Sequence, residues 1–123
     1  MSEAVITYRG VVYPWQCDHM GHMNVMWYVG KFDEATWQVF SAMGLTQAYL
    51  RENDCGMAAV DQRIEYKREL MPGDTITVRS TIQEMKDKAV VFRHEMRRED
   101  GELAASTTLT AVHIDTKLRK ARA

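Results

Sequence analysis

A short segment near the start of the chain, WQCDHMGHMN at positions 15–24, concentrates chemically active side chains. It contains the Cys17 thiol, the Asp18 carboxyl group and the imidazoles of His19 and His22. Functional groups are often carried on loops that a rigid scaffold holds in place. This mixture of groups suits acid–base or nucleophilic chemistry, so the segment is the first candidate for a functional site.

The segment leads directly into a predicted helix. Asn24 has the residue type of a helix N-cap, and apolar residues recur at helical spacing from Val25 to Met43. The first turn of a helix has unpaired N–H groups and a partial positive charge. This arrangement favours a reaction in which negative charge develops on a carbonyl oxygen. Asp18 would activate water or attack the carbonyl carbon, while backbone N–H groups near Val25 polarise the carbonyl.

Other interpretations of the same residues stay open. Asp18 and Asn24 also serve commonly as turn and cap residues, and the two histidines as loop residues bonded to the backbone. A metal site made by Cys17, Asp18, His19 and His22 is a further alternative, although the spacing matches no regular zinc motif. Cys17 acting as a nucleophile beside a histidine is another, although successive loop residues point apart.

Composition limits the classes of protein that remain. The chain has 123 residues, which predicts a single domain over positions 1–123. Lys and Arg number 16 against 17 Asp and Glu, a balance that predicts neither a nucleic-acid nor a membrane partner. Only two cysteines occur and no secretory signal is recognisable, so we expect reduced thiols and a cytoplasmic location.

The order of predicted elements is typical of an α+β fold, with one long helix set against an antiparallel sheet. Irregular alternation in the strand after the helices predicts a β-bulge or a bend, and the basic tail at 117–122 is expected to fray. The elements are the strand Val5–Tyr13, a loop at Trp15–Met23, helices at Val25–Met43 and Thr46–Asn53, and strands at Met57–Leu70, Thr75–Met85, Ala89–Arg98 and Leu103–Ile114.

The sequence resembles hotdog-fold acyl-CoA thioesterases of the 4-hydroxybenzoyl-CoA thioesterase type. The likeness rests on CDHMGHMN at 17–24, then WY at 27–28 and FDEA at 32–35, with YKRE at 66–69 leading to PGD at 72–74. It extends from about Tyr8 to about Asp115, nearly the whole chain. The first motif, in this order of elements, is the specific part.

The resemblance implies a hotdog fold, in which a five-stranded antiparallel sheet wraps around one long central helix. It implies a homodimer whose sheets join edge to edge, with the active sites at the interface, and a homotetramer packed through either the helix side or the sheet side. The implied reaction is hydrolysis of a CoA thioester, which is a substrate and not a cofactor. No cofactor and no metal are expected.

Individual residues take roles from the same resemblance. Asp18 matches the catalytic aspartate, as nucleophile or general base, and Val25 matches the N–H that polarises the thioester carbonyl. Gly56 falls near a site position that the other subunit contributes. Lys86 and Lys88 fall near positions that bind the CoA phosphates, and their place in a predicted turn also fits an ordinary solvated charge pair.

Further residues are candidates for supporting roles. His22 and Asn24 would orient the aspartate or a water molecule. Related hotdog enzymes place a catalytic glutamate on the helix, and Glu34 is the candidate for that variant, with a solvated helix residue as the alternative.

Aromatic residues cluster around the loop and helix at Trp15, Trp27, Tyr28 and Trp37. Trp27 and Tyr28 are the substrate-binding candidates, for an aromatic or medium-length acyl group or for a quaternary ammonium through cation–π contact. The local sequence is also similar to betainyl-CoA thioesterases of carnitine breakdown. Helix-to-sheet core is the alternative for these rings. A non-catalytic acyl-CoA-binding hotdog module is the alternative function, and a hotdog hydratase is disfavoured because its Asp/His loop motif is missing.

Overall fold

Helices and strands follow one another in the predicted order in the computed structural model, which describes residues 4–123. The sheet is antiparallel with strand order β1-β3-β4-β5-β2, and a short β6 pairs with β5. The predicted α+β hotdog architecture is confirmed. The elements are β1 Val5–Val11, α1 Val25–Ala42, α2 Gln47–Glu52, β2 Cys55–Tyr66, β3 Thr75–Met85, β4 Ala89–Arg98, β5 Leu103–Asp115 and β6 Lys120–Ala121.

Helix α1 begins at Val25, as predicted, and ends at Ala42, one residue before the predicted end at Met43. The Asn24 side chain accepts a hydrogen bond from the Met26 N–H at 2.9 Å and caps the first turn. Gly44, with φ of +88°, follows the last turn in the left-handed conformation that glycine adopts without cost. The buried face of the helix carries Phe32 and Phe40, which pack on the inner face of the sheet.

Strand β2 differs from its predicted limits at both ends. It begins at Cys55, before the predicted start at Met57, and it ends at Tyr66, before the predicted end at Leu70. It stops there because the N–H groups of Lys67 and Arg68 both donate to the Ala104 carbonyl, so the backbone leaves the ladder. The predicted bulge is confirmed, between Ala59 and Asp61.

The tail was expected to fray, and that expectation is wrong. Strand β6 lies within it and pairs with the end of β5. The Asp115 carboxylate accepts hydrogen bonds from the N–H groups of Lys117 and Leu118, each at 2.9 Å, and turns the chain back. The Arg122 guanidinium then bonds to Asp115 and to the Asn53 carbonyl. The tail is ordered because one aspartate organises the turn that returns it to β5.

A chain of buried polar groups links α1 to the sheet. The Thr36 hydroxyl donates to the Phe32 carbonyl at 3.0 Å, so its oxygen accepts from Nε2–H of His94 at 2.9 Å. Nδ1 of His94 then accepts from the Ser80 hydroxyl, which in turn accepts from Thr7 at 2.7 Å. Each member is buried and hydrogen-bonded, as a polar network in a core requires.

Candidate active site

The loop before α1 is held closed by its own backbone. Cys17 and Met23 form an antiparallel bridge, and the Asp18 N–H donates to the His22 carbonyl at 3.1 Å. Gly21, with φ of +88°, makes the reversal between them and donates to the Asp18 carbonyl at 3.0 Å. The loop therefore presents Asp18 from a fixed position beside the start of the helix.

The Asp18 carboxylate is half-buried, and both of its oxygens are hydrogen-bonded. Oδ1 accepts from the Met20 N–H at 2.9 Å, and Oδ2 accepts from the Asn24 side-chain amide at 3.2 Å. The Met20 N–H is the main influence holding the pKa of Asp18 below its usual value, with smaller contributions from Asn24, His22 and His19. Asp18 is therefore a carboxylate at neutral pH, as a nucleophile or general base must be.

Asn24 joins the carboxylate to the helix. Its oxygen caps the helix at Met26 while its amide nitrogen donates to Asp18, so one side chain serves both functions. The next residue, Val25, is 54% exposed. Its N–H has no hydrogen-bond partner within residues 4–123, so it is available to a carbonyl oxygen at the positive end of the helix dipole.

A cleft of about 250 Å³ opens beside this helix start. His22 is part of its wall, and its Nε2 lies 3.6 Å from a Glu69 carboxylate oxygen. Asp18 does not line the cleft and is connected to it through the loop and Asn24. The lining residues are His22, Met23, Val25, Tyr28, Tyr66, Lys67, Arg68 and Glu69.

Two tyrosines form one side of this cleft. The rings of Tyr28 and Tyr66 meet at 90° with centroids 5.2 Å apart, and the Tyr28 hydroxyl donates to the Arg68 carbonyl at 3.2 Å. Burial raises the pKa of Tyr28 to about 12, so the phenol stays neutral. Trp27, by contrast, packs half-buried against the core cluster. Sequence reasoning did not identify Tyr66 and Glu69 as site residues, although Tyr66 ends its strand on the helix side of the sheet, opposite Ala105.

Glu34 occupies a different neighbourhood. It is exposed on α1, about 14 Å along the helix axis from Val25, at a rise of 1.5 Å per residue. Its neighbours are Tyr8 and Lys31, and the Lys31 ammonium, although only 2% of that residue is exposed, donates to the Tyr8 hydroxyl at 3.3 Å. Burial foremost, and then Glu34, raises the pKa of Tyr8.

Lys86 and Lys88 line a second cleft, of about 270 Å³, with the apolar side chains of Met43, Met57 and Met85 on its walls. Neither lysine forms an ion pair with any residue that the structure describes. Gly56 lies next to this cleft, because it directly precedes Met57 in β2.

The two clefts stand at opposite ends of the protomer. Met43 follows the last turn of α1 and Val25 opens the first, so the helix separates them by about 27 Å. Strand β2 spans the same interval, with Met57 at one end and Tyr66 at the other. Both residues face the helix side of the sheet, because their partners in β5, His113 and Ala105, do.

The other two interpretations of the loop receive no geometric support. The Cys17 thiol donates to the Tyr13 carbonyl at 3.7 Å, and neither histidine is hydrogen-bonded to it. Within positions 4–123, no three His, Cys, Asp or Glu side chains come together in a group suited to a metal ion. Among the described residues, no helix has the length and apolar character needed to cross a membrane.

Comparison with known proteins gives the family. The family model of the thioesterase-like superfamily matches residues 12–123. A curated L-carnitine dehydrogenase/betainyl-CoA thioesterase of Agrobacterium fabrum is 28% identical over 84% of this chain, which spans only 21% of that protein. The long-chain acyl-CoA thioesterase FadM of Escherichia coli is 26% identical over 83% of this chain and 77% of its own length.

A solved structure gives the same answer at the level of the fold. A hypothetical protein of Staphylococcus aureus, crystallised in complex with CoA, superposes with a TM-score of 0.93 at 21% identity. The match covers all of this chain and 78% of that one. Both curated relatives are named as thioesterases, the enzyme class that the sequence predicted for this chain. The chain belongs to the thioesterase-like superfamily.

Proposed function

We propose that this protein hydrolyses acyl-CoA thioesters to a carboxylic acid and CoA, with Asp18 as the reacting carboxylate. The observation that carries the proposal is the pairing of an ionised, doubly hydrogen-bonded Asp18 with the unpaired N–H at Val25. Such a pair supplies an activating base or nucleophile and a donor for the developing oxyanion. A protein that only bound acyl-CoA would have no need of this arrangement.

The reaction needs no cofactor, since water and the thioester are the only reactants. In the base route, Asp18 takes a proton from water, the hydroxide adds to the carbonyl carbon, and the C–S bond breaks to release the thiolate. In the nucleophile route, the carboxylate adds to the carbonyl carbon and the C–S bond breaks to expel the thiolate, which leaves a mixed anhydride; water then cleaves the anhydride to the free acid and regenerates Asp18. Both routes place negative charge on the carbonyl oxygen, where the Val25 N–H lies at the helix terminus.

The substrate's CoA portion is proposed to lie on the second cleft. Its two unpaired lysines, Lys86 and Lys88, offer positive charge to the phosphates, and its methionines offer an adaptable apolar surface. One protomer cannot join this cleft to its own Asp18 easily, because about 27 Å of helix separates the two ends. The proposal therefore requires that two protomers share each site.

The sheet supplies a way to share it. Among the described strands, β2 lies at the edge of the sheet and pairs with β5 alone, and edge strands readily pair with a second copy. Antiparallel pairing of two β2 strands about a two-fold axis sets the Met57 end of one protomer beside the Tyr66 end of its partner. Lys86, Lys88 and Gly56 of one protomer would then lie next to the Asp18 loop of the other.

The two curated relatives are named for different acyl groups, so they do not identify the acyl group of this protein's substrate. One is named for betainyl-CoA, whose acyl group carries a positive charge, and the other for long-chain acyl-CoA, whose acyl group is apolar. The 4-hydroxybenzoyl type suggested by the sequence motif is a third class. Hydrolysis of a panel containing betainyl-CoA, 4-hydroxybenzoyl-CoA, acetyl-CoA and palmitoyl-CoA would decide among them.

The test of the function is thiol release from that panel by the wild type and by Asp18→Asn. We expect wild-type turnover and a fall in kcat of about a hundredfold or more in the variant. Asp33→Asn, at an exposed aspartate on α1, is the matched control and should retain full activity. Glu34→Gln should change kcat far less than Asp18→Asn.

Two results would contradict the proposal. Absence of thiol release from every thioester, with CoA still bound, would identify a binding module instead. Near-normal turnover by a folded Asp18→Asn protein would remove Asp18 from the reaction, and a larger loss in Glu34→Gln would move the chemistry to the helix.

A further inference from the structure

An exposed aromatic pair stands on the same loop as Asp18. The rings of Tyr13 and Trp15 are stacked, with centroids 4.5 Å apart and planes within 3° of parallel. Trp15 is 68% exposed, and Met20, two residues beyond Asp18, is 67% exposed. The stacked ring pair is a contiguous exposed apolar surface, and such surfaces mark places that a ligand or partner covers.

Backbone and side-chain hydrogen bonds fix the segment that carries this aromatic pair. The pair therefore differs from an isolated apolar side chain that is exposed on a flexible loop. Pro14–Gln16 forms a 3-10 turn in which the Gln16 N–H donates to the Tyr13 carbonyl at 2.9 Å. The buried Gln16 side chain accepts from the Tyr13 N–H at 3.2 Å. A preorganised apolar surface binds with little loss of conformational entropy.

The same hydrogen bonds fix the aromatic pair relative to the reacting carboxylate. The Gln16 carbonyl accepts from the Asn24 N–H at 2.8 Å, and the Asn24 side chain bonds Asp18. Trp15 and Asp18 are three residues apart, so their Cα atoms lie within about 11 Å of each other. An acyl group whose carbonyl carbon is at Asp18 can therefore extend onto Trp15.

We infer that Trp15, Tyr13 and Met20 form an acyl-binding surface that selects extended apolar acyl chains. The inference rests on the proposed function, because the reacting carbonyl at Asp18 fixes where the acyl chain begins. The chain would lie along the outer face of the Trp15 ring, on the loop that also exposes Met20. Long thioesters would gain contacts that an acetyl group is too short to reach.

The geometry of the rings argues against a quaternary ammonium at this surface. Aromatic cages hold such cations by surrounding them with several ring faces. Tyr13 and Trp15 lie flat against each other, so each covers one face of the other and no space remains between them. A single open face suits a flat or extended apolar group. Among the substrate classes of the relatives, the inference therefore favours long-chain acyl-CoA.

The test is a chain-length profile of kcat/KM, using acetyl-, octanoyl-, palmitoyl- and betainyl-CoA with the wild type, Trp15→Ala and Trp15→Phe. We expect Trp15→Ala to lower kcat/KM for palmitoyl-CoA by at least about tenfold, with the acetyl-CoA value unchanged, and Trp15→Phe to restore most of the loss. Leu118→Ala, at a residue 65% exposed in the C-terminal turn, is the matched control and should leave the profile unchanged.

Each contrary result has a separate meaning. A wild type that hydrolyses none of the thioesters overturns the proposed function and this inference with it. An active wild type that prefers acetyl- or betainyl-CoA, or a Trp15→Ala protein that loses activity equally at all chain lengths, overturns the inference alone. A smaller assembly of Trp15→Ala in solution, with an unchanged chain-length profile, would show that a second copy covers the ring instead.

Discussion

At the scale of single residues, Asn24 combines a structural function and a chemical function in one side chain. Its Oδ1 caps α1 at the Met26 N–H, while its Nδ2 donates to Asp18. The two functions separate by substitution, since serine also caps helices but has no amide to offer the carboxylate. Asn24 is thus a positioning residue whose contribution to activity can be measured apart from its contribution to stability.

We expect Asn24→Ser to keep the free energy of unfolding nearly unchanged and to lower kcat by about tenfold, because Asp18 loses one of its two hydrogen bonds. Loss of that bond to the charged form also raises the pKa of Asp18, so the acid limb of the pH–rate profile should move to higher pH. Asn24→Ala should show the same kinetics and lose a further ~1 kcal/mol of stability. Unchanged kinetics in the serine variant would leave Asn24 as a cap only.

Residue types and spacing were enough to find the loop but not its surroundings. Asp18, Asn24 and Val25 lie close in sequence, so a helix start in the right place brings them together. Tyr66 and Glu69 enter the cleft through tertiary folding, more than forty positions away from the loop. No local pattern reveals that meeting, because it depends on how β2 leaves the sheet after Tyr66.

At the scale of elements, the buried hydroxyl–imidazole chain fixes α1 against three strands. Thr36 lies on α1, His94 on β4, Ser80 on β3 and Thr7 on β1. Burial lowers the pKa of His94 from 6.5 to about 4, so the imidazole is neutral at physiological pH. Charging it would place a cation in the core and would reverse the bond to Ser80, because a protonated Nδ1 can only donate.

The buried hydrogen-bond chain through His94 predicts that the folded protein loses stability in acid. Between pH 6.5 and about 4 the unfolded chain binds a proton at His94 that the folded protein does not. The stabilisation is therefore complete above pH 6.5 and is lost as the pH falls toward 4, amounting to about 3 kcal/mol at the full shift. Urea unfolding at pH 7.5 and 4.5 should show most of that loss in the wild type.

The variant that tests this prediction is His94→Gln, and its control is His19→Gln. His94→Gln should be less stable at pH 7.5 but lose much less on acidification, since the group that titrates is gone. His19→Gln, at an exposed loop histidine, should keep the wild-type pH dependence. An equal loss on acidification in all three proteins would assign the effect to carboxylates elsewhere.

The sequence predicted the elements better than their ends. Alternation identified β3 and β4, and the glycine after the helix marked where α1 stops. The end of β2 and the course of the tail depended on contacts between distant residues, namely the Ala104 carbonyl and the Asp115 carboxylate. Periodicity carries no information about such contacts, which explains why these two predictions failed.

At the scale of the whole molecule, the separation of the two clefts is the central constraint. The carboxylate and the helix start lie at one end of β2, and the lysines lie at the other. A thioester bound to both must pass between protomers if the proposed function is correct. If the sites are shared, each active site needs residues from both protomers of a dimer. This requirement can be tested without knowing the structure of the dimer.

Two defective variants should restore activity to each other when co-expressed. Asp18→Asn removes the carboxylate. A Lys86→Ala/Lys88→Ala variant binds CoA more weakly and is therefore nearly inactive at low substrate concentration. In a mixed dimer with shared sites, one site has both defects and the other has neither. Random assembly makes about half of the dimers mixed, so the co-expressed protein should show about one quarter of wild-type activity. If each site lay within one protomer, no mixed dimer would contain an intact site. The activity of the co-expressed protein would then equal the mean of the two variants' activities.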